Sequence, residues 1–227
     1  EGKTFRWEGS YHGDMGIAET HDTHLNVFGD FNPKVPDSST EPTVLFCANL
    51  VPALQAQVLE QAQGTRLSML DSMNLWIEIA RDDLLSVMKS VDLIIINDGE
   101  VKMLAGDDNL VRAAKKLISM VGCNSLVIKK GEHGVIAFHQ GAMIALPAYP
   151  TELVVDPTGC GDSFAGTIAA YLASGSGDVS KEELREALVR ATVTASFTLE
   201  SFGTSGLLSL NNNAFAERLA HFREIVG

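Results

Sequence analysis

Long hydrophobic runs, basic residues and cysteines are all scarce in this sequence of 227 residues. No apolar stretch approaches the roughly 20 residues that a membrane-spanning helix needs. Lys and Arg number 17 against 29 Asp and Glu, which gives a formal net charge of −12. An acidic chain is repelled by nucleic acid and by anionic membrane surfaces. We therefore expect neither nucleic acid nor a membrane as a partner.

The three cysteines, Cys47, Cys123 and Cys160, are an odd number and lack the spacing of metal ligands. Free thiols in a reducing compartment explain them most simply, so we expect a cytoplasmic protein. The hydrophobic fraction of 45% and the charged fraction of 20% are typical of a globular domain with a sizeable core.

Two common phosphate-binding patterns are also missing. No G-x-x-x-x-G-K-[ST] string occurs, which excludes a Walker A loop. Gly159-x-Gly161 begins a dinucleotide fingerprint, but the next glycine, Gly166, comes too late for G-x-G-x-x-G. This spacing disfavours an oxidoreductase that uses a nicotinamide cofactor.

From Val44 onward, short apolar runs alternate with helical patterns. The runs at 91–96 and 125–128 are almost continuously apolar, which is typical of strands buried on both faces. Residues 110–121 keep strict helical spacing, and Leu153–Val155 is predicted to end another buried strand. The sequence therefore predicts an α/β fold with a mostly parallel central sheet and helices on both faces.

The N-terminal region has a different pattern. Residues 3–11 alternate aromatic and polar side chains, which predicts a half-buried strand. Residues 12–23 are polar and are predicted to form a loop, and residues 24–28 a second short strand.

A glycine-rich turn, Asp156–Thr167, is the most informative stretch of the chain. It precedes a helical pattern with Phe164, Ile168 and Leu172 on one face. The first turn of a helix offers free N–H groups and partial positive charge, and both favour anions such as phosphate. Asp162 would repel a phosphate unless it accepts a proton from the attacking hydroxyl. The other interpretation is an ordinary turn in which Asp162 stabilises the helix start.

Polar side chains follow the predicted strands, and ligands of such sheets bind beyond the carboxyl ends of the strands. Converging carboxylates would repel one another unless Mg²⁺ joined them to substrate phosphates. Asp71, Glu100 and Asp162 are therefore candidates for a Mg–nucleotide site, although Asp71, Asp98 and Asp162 could instead simply begin helices. Only one of Lys129 and Lys130 can face the site, because neighbours on a strand point to opposite faces. The sequence does not decide which, and Lys130 is taken as the predicted cofactor-binding residue.

The turn Asp156–Thr167 resembles the D-T-x-G-A-G-D signature of the ribokinase-like (pfkB-type) carbohydrate kinases. Pro157 precedes Thr158, and Cys160 stands where alanine is usual. Asn97-x-x-Glu100 resembles the N-x-x-E motif of the same family. The resemblance runs from about residue 26 to the C-terminus.

This resemblance implies an ATP-dependent phosphotransferase that acts on a hydroxyl of a sugar or sugar-like compound. It implies Asp162 as catalytic base and an anion hole formed by the amides of Gly159, Cys160 and Gly161. It also implies Mg²⁺, and in some members a monovalent cation such as K⁺ near Asp156 and the Thr158 carbonyl. The metal-binding residues predicted in this way and from the strand ends are Glu100, Asp156 and Asp71. The predicted cofactor-binding residues are Asn97, Glu100, Lys130, Gly131, Gly134, Thr158 and, in a loop expected at 201–212, Gly203.

The family pattern also implies how the chain is divided. Residues 1–42 would form lid-like strands and a loop, and residues 43–227 the nucleotide-binding core. Family members usually carry sugar-binding residues, including a paired-glycine motif, in an N-terminal segment, and we expect this chain to lack most of that segment. Lid strands in the family often pair between subunits, which makes a homodimer a hypothesis.

Three functions stay open at this point. The first is a sugar kinase, and the second is a nucleoside kinase on the same scaffold. The third is a non-catalytic nucleotide-binding relative. The presence of Asp162 and its glycine turn argues against this third function.

Overall fold

The computed structural model describes residues 1–13, 18–39, 41–62 and 64–227. A six-stranded sheet in the order β3-β4-β5-β6-β7-β8 forms its centre, and β1 and β2 form a separate two-stranded sheet. The strands are β1 (Arg6–Tyr11), β2 (Ala18–His24), β3 (Val44–Cys47), β4 (Leu67–Asp71), β5 (Leu93–Asn97), β6 (Ser125–Lys129), β7 (Val135–His139) and β8 (Ala142–Leu146). The α-helices are α1 (Pro52–Gln61), α2 (Asn74–Ile79), α3 (Arg81–Met88), α4 (Asp98–Ala105), α5 (Leu110–Val121), α6 (Cys160–Leu172), α7 (Lys181–Leu199), α8 (Ser205–Leu208) and α9 (Asn212–Val226).

Helices cover both faces of the large sheet, as the sequence predicts. Strands β3 to β6 are parallel, and β7 and β8 are added antiparallel. Along β5, Leu93 and Ile95 pack into the core shared with α6, α7 and α9, whereas Ile94 and Ile96 pack into the core shared with α2 to α5. Successive side chains of a strand point to opposite faces, so a strand buried on both sides must be apolar throughout. The α/β prediction is confirmed.

The prediction of a buried strand at Leu153–Val155 is wrong. The segment is irregular, and these three side chains are 55%, 47% and 44% exposed. The amides of Val155 and Asp156 donate to the carbonyl of Leu199 at the end of α7, at 2.9 and 3.2 Å. A short apolar run does not distinguish a strand from a segment anchored in this way. The segment that leads into the glycine turn is therefore held by the end of α7 and not by a sheet strand.

The N-terminal region departs from the prediction in two places. β1 is confirmed, but β2 pairs antiparallel with it within the loop predicted at 12–23, of which residues 14–17 lie outside the described part. The strand predicted at 24–28 is wrong, because Asn26 has a φ of +50° and a 3₁₀ turn spans Asn26–Asp30. Polar side chains line β2, since a two-stranded ribbon buries little of either face. The division at residue 42 and the homodimer stay predictions.

No helix in the described part of the chain is both long and apolar enough to cross a membrane.

Gly134, in the turn between β6 and β7, has no room for a side chain. Gly134 and Gly141 both have a φ of +81°, but a Cβ at Gly134 would collide with the backbone of Leu146 and Pro147, whereas Gly141 faces open space. Gly141→Ala should cost about 1 kcal/mol of stability for the left-handed conformation alone. Gly134→Ala should cost at least about 2 kcal/mol more, because backbone atoms must move. Urea unfolding of both variants checks this, and equal losses would contradict it.

Candidate active site

Strand ends and the start of α6 come together at one edge of the sheet. Asp71, Asn97 and Lys129 are the last residues of β4, β5 and β6, and Asn97 pairs in register with Lys129. A Cβ built on Gly161 would lie 3.4 Å from the Lys129 Nζ. The edge therefore faces the first turn of α6, as the parallel topology predicts.

The glycine turn begins α6 with Gly159 in the left-handed conformation, at a φ of +84°. The amide of Cys160 donates to the Pro157 carbonyl at 3.1 Å, inside the turn. Within the described residues, the amides of Gly161 and Asp162 have no hydrogen-bond acceptor. Helix starts leave such amides free, and the helix dipole makes them attractive to anions. Of the predicted anion hole, Gly161 is therefore free, whereas the Cys160 amide is occupied.

Asp162 lies in this first turn, and its side chain is exposed. An exposed carboxylate beside free amides can accept a proton from a bound hydroxyl, which is the geometry that general-base catalysis needs. Its catalytic role stays a prediction.

The Cys160 thiol contributes little to this chemistry. Its Sγ lies 3.6 Å from the carbonyl oxygen of Ala195. Burial above all, and then the negative charges of the nearby Asp156 and Asp162, raise the pKa of the thiol to about 11. The thiol is therefore protonated at neutral pH and is a poor nucleophile.

Asp156 organises the chain just before the turn. Its Oδ1 accepts a hydrogen bond from the Thr158 amide at 2.9 Å. Desolvation tends to raise the pKa of Asp156, but hydrogen bonds from Thr158 and from the Gly203 backbone outweigh it and lower the pKa. The structure thus brings Asp156, Thr158 and Gly203 together. The loop predicted at 201–212 is wrong in part, because it contains α8.

Asp71 forms an ion pair with Lys129. The sequence alone does not decide whether Lys129 or Lys130 faces the site. The Lys129 Nζ lies 3.0 and 2.8 Å from the Asp71 Oδ1 and Oδ2, and Asp71 Oδ1 also accepts from the Ser72 amide at 2.8 Å. The side chains are 6% and 21% exposed. Two donors thus occupy the carboxylate that was predicted to bind metal. Only strand alternation hints at Lys129, and alternation alone does not fix its face.

Asn97 and Glu100 form a reciprocal capping box at the start of α4. The Asn97 Oδ1 accepts from the Glu100 amide, and the Glu100 Oε2 accepts from the Asn97 amide, both at 2.8 Å. Burial raises the pKa of Glu100 to about 7, although the Asn97 hydrogen bond and Lys129 oppose this. These contacts give the motif a structural role at the start of α4, and its part in Mg²⁺ binding stays a prediction.

The described residues contain no cluster of three His, Cys, Asp or Glu side chains that could hold a metal ion alone. Mg²⁺ needs no such cluster, since it commonly binds one or two carboxylates together with substrate phosphates. Both Asp71 oxygens contact Lys129, whereas the capping box uses only the Oε2 of Glu100, which leaves its Oε1 for a metal. The donor set fits a metal that is shared with a phosphate ligand.

The Gly131-to-Gly134 segment is a tight turn, as its glycines predict. A 3₁₀ turn spans Gly131–His133, and the Lys130 amide donates to the Gly134 carbonyl at 2.8 Å. Lys130 therefore begins the turn instead of continuing β6. Phosphate binding by Lys130, Gly131 and Gly134 stays a prediction.

The six-stranded sheet, the helices on both of its faces and the glycine turn at the ends of its strands are typical of a ribokinase-like α/β domain. The sequence profile of the pfkB family of carbohydrate kinases matches residues 45–210, and the chain belongs to this family. A cytidine kinase of Thermococcus kodakarensis is 29% identical over 187 residues, which cover 77% of this chain and 63% of that protein. The chain thus spans less than two thirds of the length of this relative.

Solved structures show the same fold. A ribokinase of Thermotoga maritima superposes with a TM-score of 0.73 at 17% identity, over 96% of this chain and 70% of that one. A nucleoside kinase of Methanocaldococcus jannaschii superposes with a TM-score of 0.71 at 19% identity, over 97% and 69%.

The raised pKa of Glu100 predicts a pH-dependent stability. Its pKa is about 7 in the folded protein against an ordinary 4.5, so the folded state holds the proton more tightly than the unfolded state. The stability from this group is complete below pH 4.5 and is lost as the pH rises through about 7. Glu100→Gln should therefore gain up to about 3 kcal/mol relative to the native protein between those values.

Urea unfolding across this pH range measures the difference between the variant and the native protein. Glu224→Gln, on an exposed face of α9, is the matched control for replacing a carboxylate. A difference between Glu100→Gln and native protein that stays constant with pH would contradict the prediction.

Proposed function

We propose that this protein is an ATP-dependent kinase that transfers the γ-phosphate to a hydroxyl group of a sugar or a nucleoside. One observation carries the proposal: an exposed carboxylate, Asp162, shares a helix turn with the free amides of Gly161 and Asp162. Free amides attract a phosphate, and an exposed carboxylate beside them can remove the proton of a hydroxyl that attacks this phosphate. Membership of the pfkB family supports the same chemistry.

In this mechanism Asp162 is the general base. The hydroxyl oxygen of the substrate forms a bond to the γ-phosphorus, while the bond from that phosphorus to the bridging oxygen breaks. The hydroxyl proton passes to Asp162, and the products are a phosphate ester and ADP. The amides of Gly161 and Asp162, at the positive end of α6, stabilise the charge on the transferring group.

The other predicted residues fit binding roles around this centre. Mg²⁺, held by Glu100 and the ATP phosphates, would neutralise charge on the phosphates. Asn97 keeps Glu100 in place through the capping box. Asp156 and the Thr158 carbonyl, beside Gly203, would bind a monovalent cation such as K⁺.

The substrate has two candidates. The family name favours a sugar. The similarity to a cytidine kinase and to an archaeal nucleoside kinase favours a nucleoside, so a nucleoside kinase is the second candidate. The expected homodimer would form through the β1–β2 ribbon.

A substrate screen tests the function directly. The full-length protein, MgATP and single acceptors such as cytidine, adenosine, ribose and fructose are incubated, and ³¹P NMR identifies the phosphate ester. We expect one acceptor class to drive Mg²⁺-dependent ADP release. ATP binding without turnover on any acceptor would instead support a non-catalytic relative.

Replacing Asp162 tests the general base. Asp162→Asn should lower kcat roughly 10²- to 10⁴-fold while the affinity for ATP changes little, because the amide cannot accept the proton. Rapid-quench kinetics and calorimetry measure the two quantities. Asp108→Asn, at an exposed site before α5, is the matched control. Near-native kcat in Asp162→Asn would remove this residue as the base.

A further inference from the structure

We propose that Lys129 is a further catalytic residue whose ammonium group binds the transferring phosphate, and that Asp71 is the positioning residue that holds it there. The inference rests on the proposed kinase function and deepens it. It follows from the place of Lys129 at the sheet edge, from its unused hydrogen-bonding capacity and from the charge around it.

The position of Lys129 is fixed from two sides. Its ammonium lies 2.8 Å from a carboxylate oxygen of Asp71 at the end of β4, across the intervening strand β5. On the other side it lies against Gly161, where a Cβ would come within 3.4 Å of Nζ. The ammonium therefore lies between the strand ends and the free amides that would bind phosphate.

One N–H group of the Lys129 ammonium is left without a hydrogen-bond acceptor among the described residues. A lysine carries three N–H groups, and two of them are directed at the Asp71 oxygens. The third has no acceptor within the described residues. The Lys129 side chain is 21% exposed whereas that of Asp71 is 6% exposed, so Lys129 is the more accessible member of the pair.

The negative charge at this edge of the sheet explains why a phosphate would need the third N–H group of Lys129. The negative charge of Asp162 tends to raise the pKa of Asp71, and the negative charge of Asp71 tends to raise the pKa of Glu100. The three carboxyl groups are therefore close enough to repel one another. A phosphate that approaches this group of carboxylates needs a fixed cation, and Lys129 is already desolvated and held in place.

A purely structural ion pair between β4 and β6 is the competing explanation. The two explanations differ in what they predict for nucleotides. A phosphate-binding lysine distinguishes ATP from ADP, since only ATP carries the transferring group. A structural pair affects both nucleotides equally.

Calorimetry with a non-hydrolysable ATP analogue and with ADP, in the presence of Mg²⁺, separates these explanations. For Lys129→Met in the full-length protein we expect the affinity for the ATP analogue to fall roughly 10- to 100-fold, the loss of one charge-assisted hydrogen bond. The affinity for ADP should change less than about threefold by the same measure. Lys116→Met, at an exposed position on α5, is the matched control and should leave both affinities unchanged.

Asp71→Asn tests the positioning role. It should reduce the preference for the ATP analogue less than Lys129→Met does, because the lysine remains but loses its counter-ion. The double variant should be no worse than Lys129→Met alone, since both changes act through one ammonium. Thermal unfolding without nucleotide reports whether each variant folds. Lys129→Arg, which keeps the charge, should restore part of the preference. Lys129→Gln, which removes the charge but keeps a polar side chain, replaces Lys129→Met if that variant does not fold, with the same expected losses.

The outcomes distinguish the inference from the function on which it rests. Native protein that neither prefers the ATP analogue nor transfers phosphate overturns both. Native protein that does both, while Lys129→Met keeps the preference, overturns the inference alone. Equal losses for the two nucleotides, or loss of the preference in Lys130→Met instead, also overturn it.

Discussion

Negative charge is concentrated at the carboxyl edge of the parallel sheet, and the Asp71–Lys129 ion pair makes that concentration tolerable. The pair spans β4 and β6 across β5, at 2.8 Å, and it is largely buried. A buried carboxylate without a partner would be strongly destabilising. Lys129, at the end of β6, supplies that partner for Asp71. Glu100 and Asp162 can then share the same edge. The arrangement leaves the edge able to accept an anion although the chain as a whole is acidic.

The fold could be predicted almost completely from the sequence where one physical signal dominated. The strands β4 to β6 are buried on both faces, so their apolar runs had no competing explanation. Leu153–Val155 has a similar composition, yet it is exposed and tied to α7 through the Leu199 carbonyl. Composition cannot reveal such an anchor, because it depends on a residue that lies more than forty positions away in the sequence. The polar strand β2 was missed for the opposite reason, since its residues carry no apolar alternation.

The candidate site was predictable in its residue types but not in its pairings. The turn at Asp162 and the Asn97–Glu100 motif could be located because each is local in sequence, and local motifs carry their own geometry. The choice between Lys129 and Lys130 depended on where β6 ends. The structure ends it at Lys129, and the following residues turn at once towards Gly134. The same long-range pairing explains why Asp71 looked like a metal ligand: its sequence context does not show that a lysine already occupies it.

The helix layer, and not the sheet, holds the segment that leads into the glycine turn. The Leu199 carbonyl receives the amides of Val155 and Asp156, and the next residue, Glu200, accepts from Thr151 at 2.8 Å. Glu200 is itself paired with Arg218 of α9 at 2.9 Å, in a pair that is about four-fifths buried. The end of α7 is therefore braced by α9 and in turn braces the segment that enters the turn. Because the sheet fixes Lys129 and the helices fix Asp162, the relative position of these two layers sets the distance between the Lys129 ammonium and the Asp162 carboxylate, the proposed base. The packing of α6 and α7 against the sheet is thus a constraint on the proposed chemistry as well as on stability.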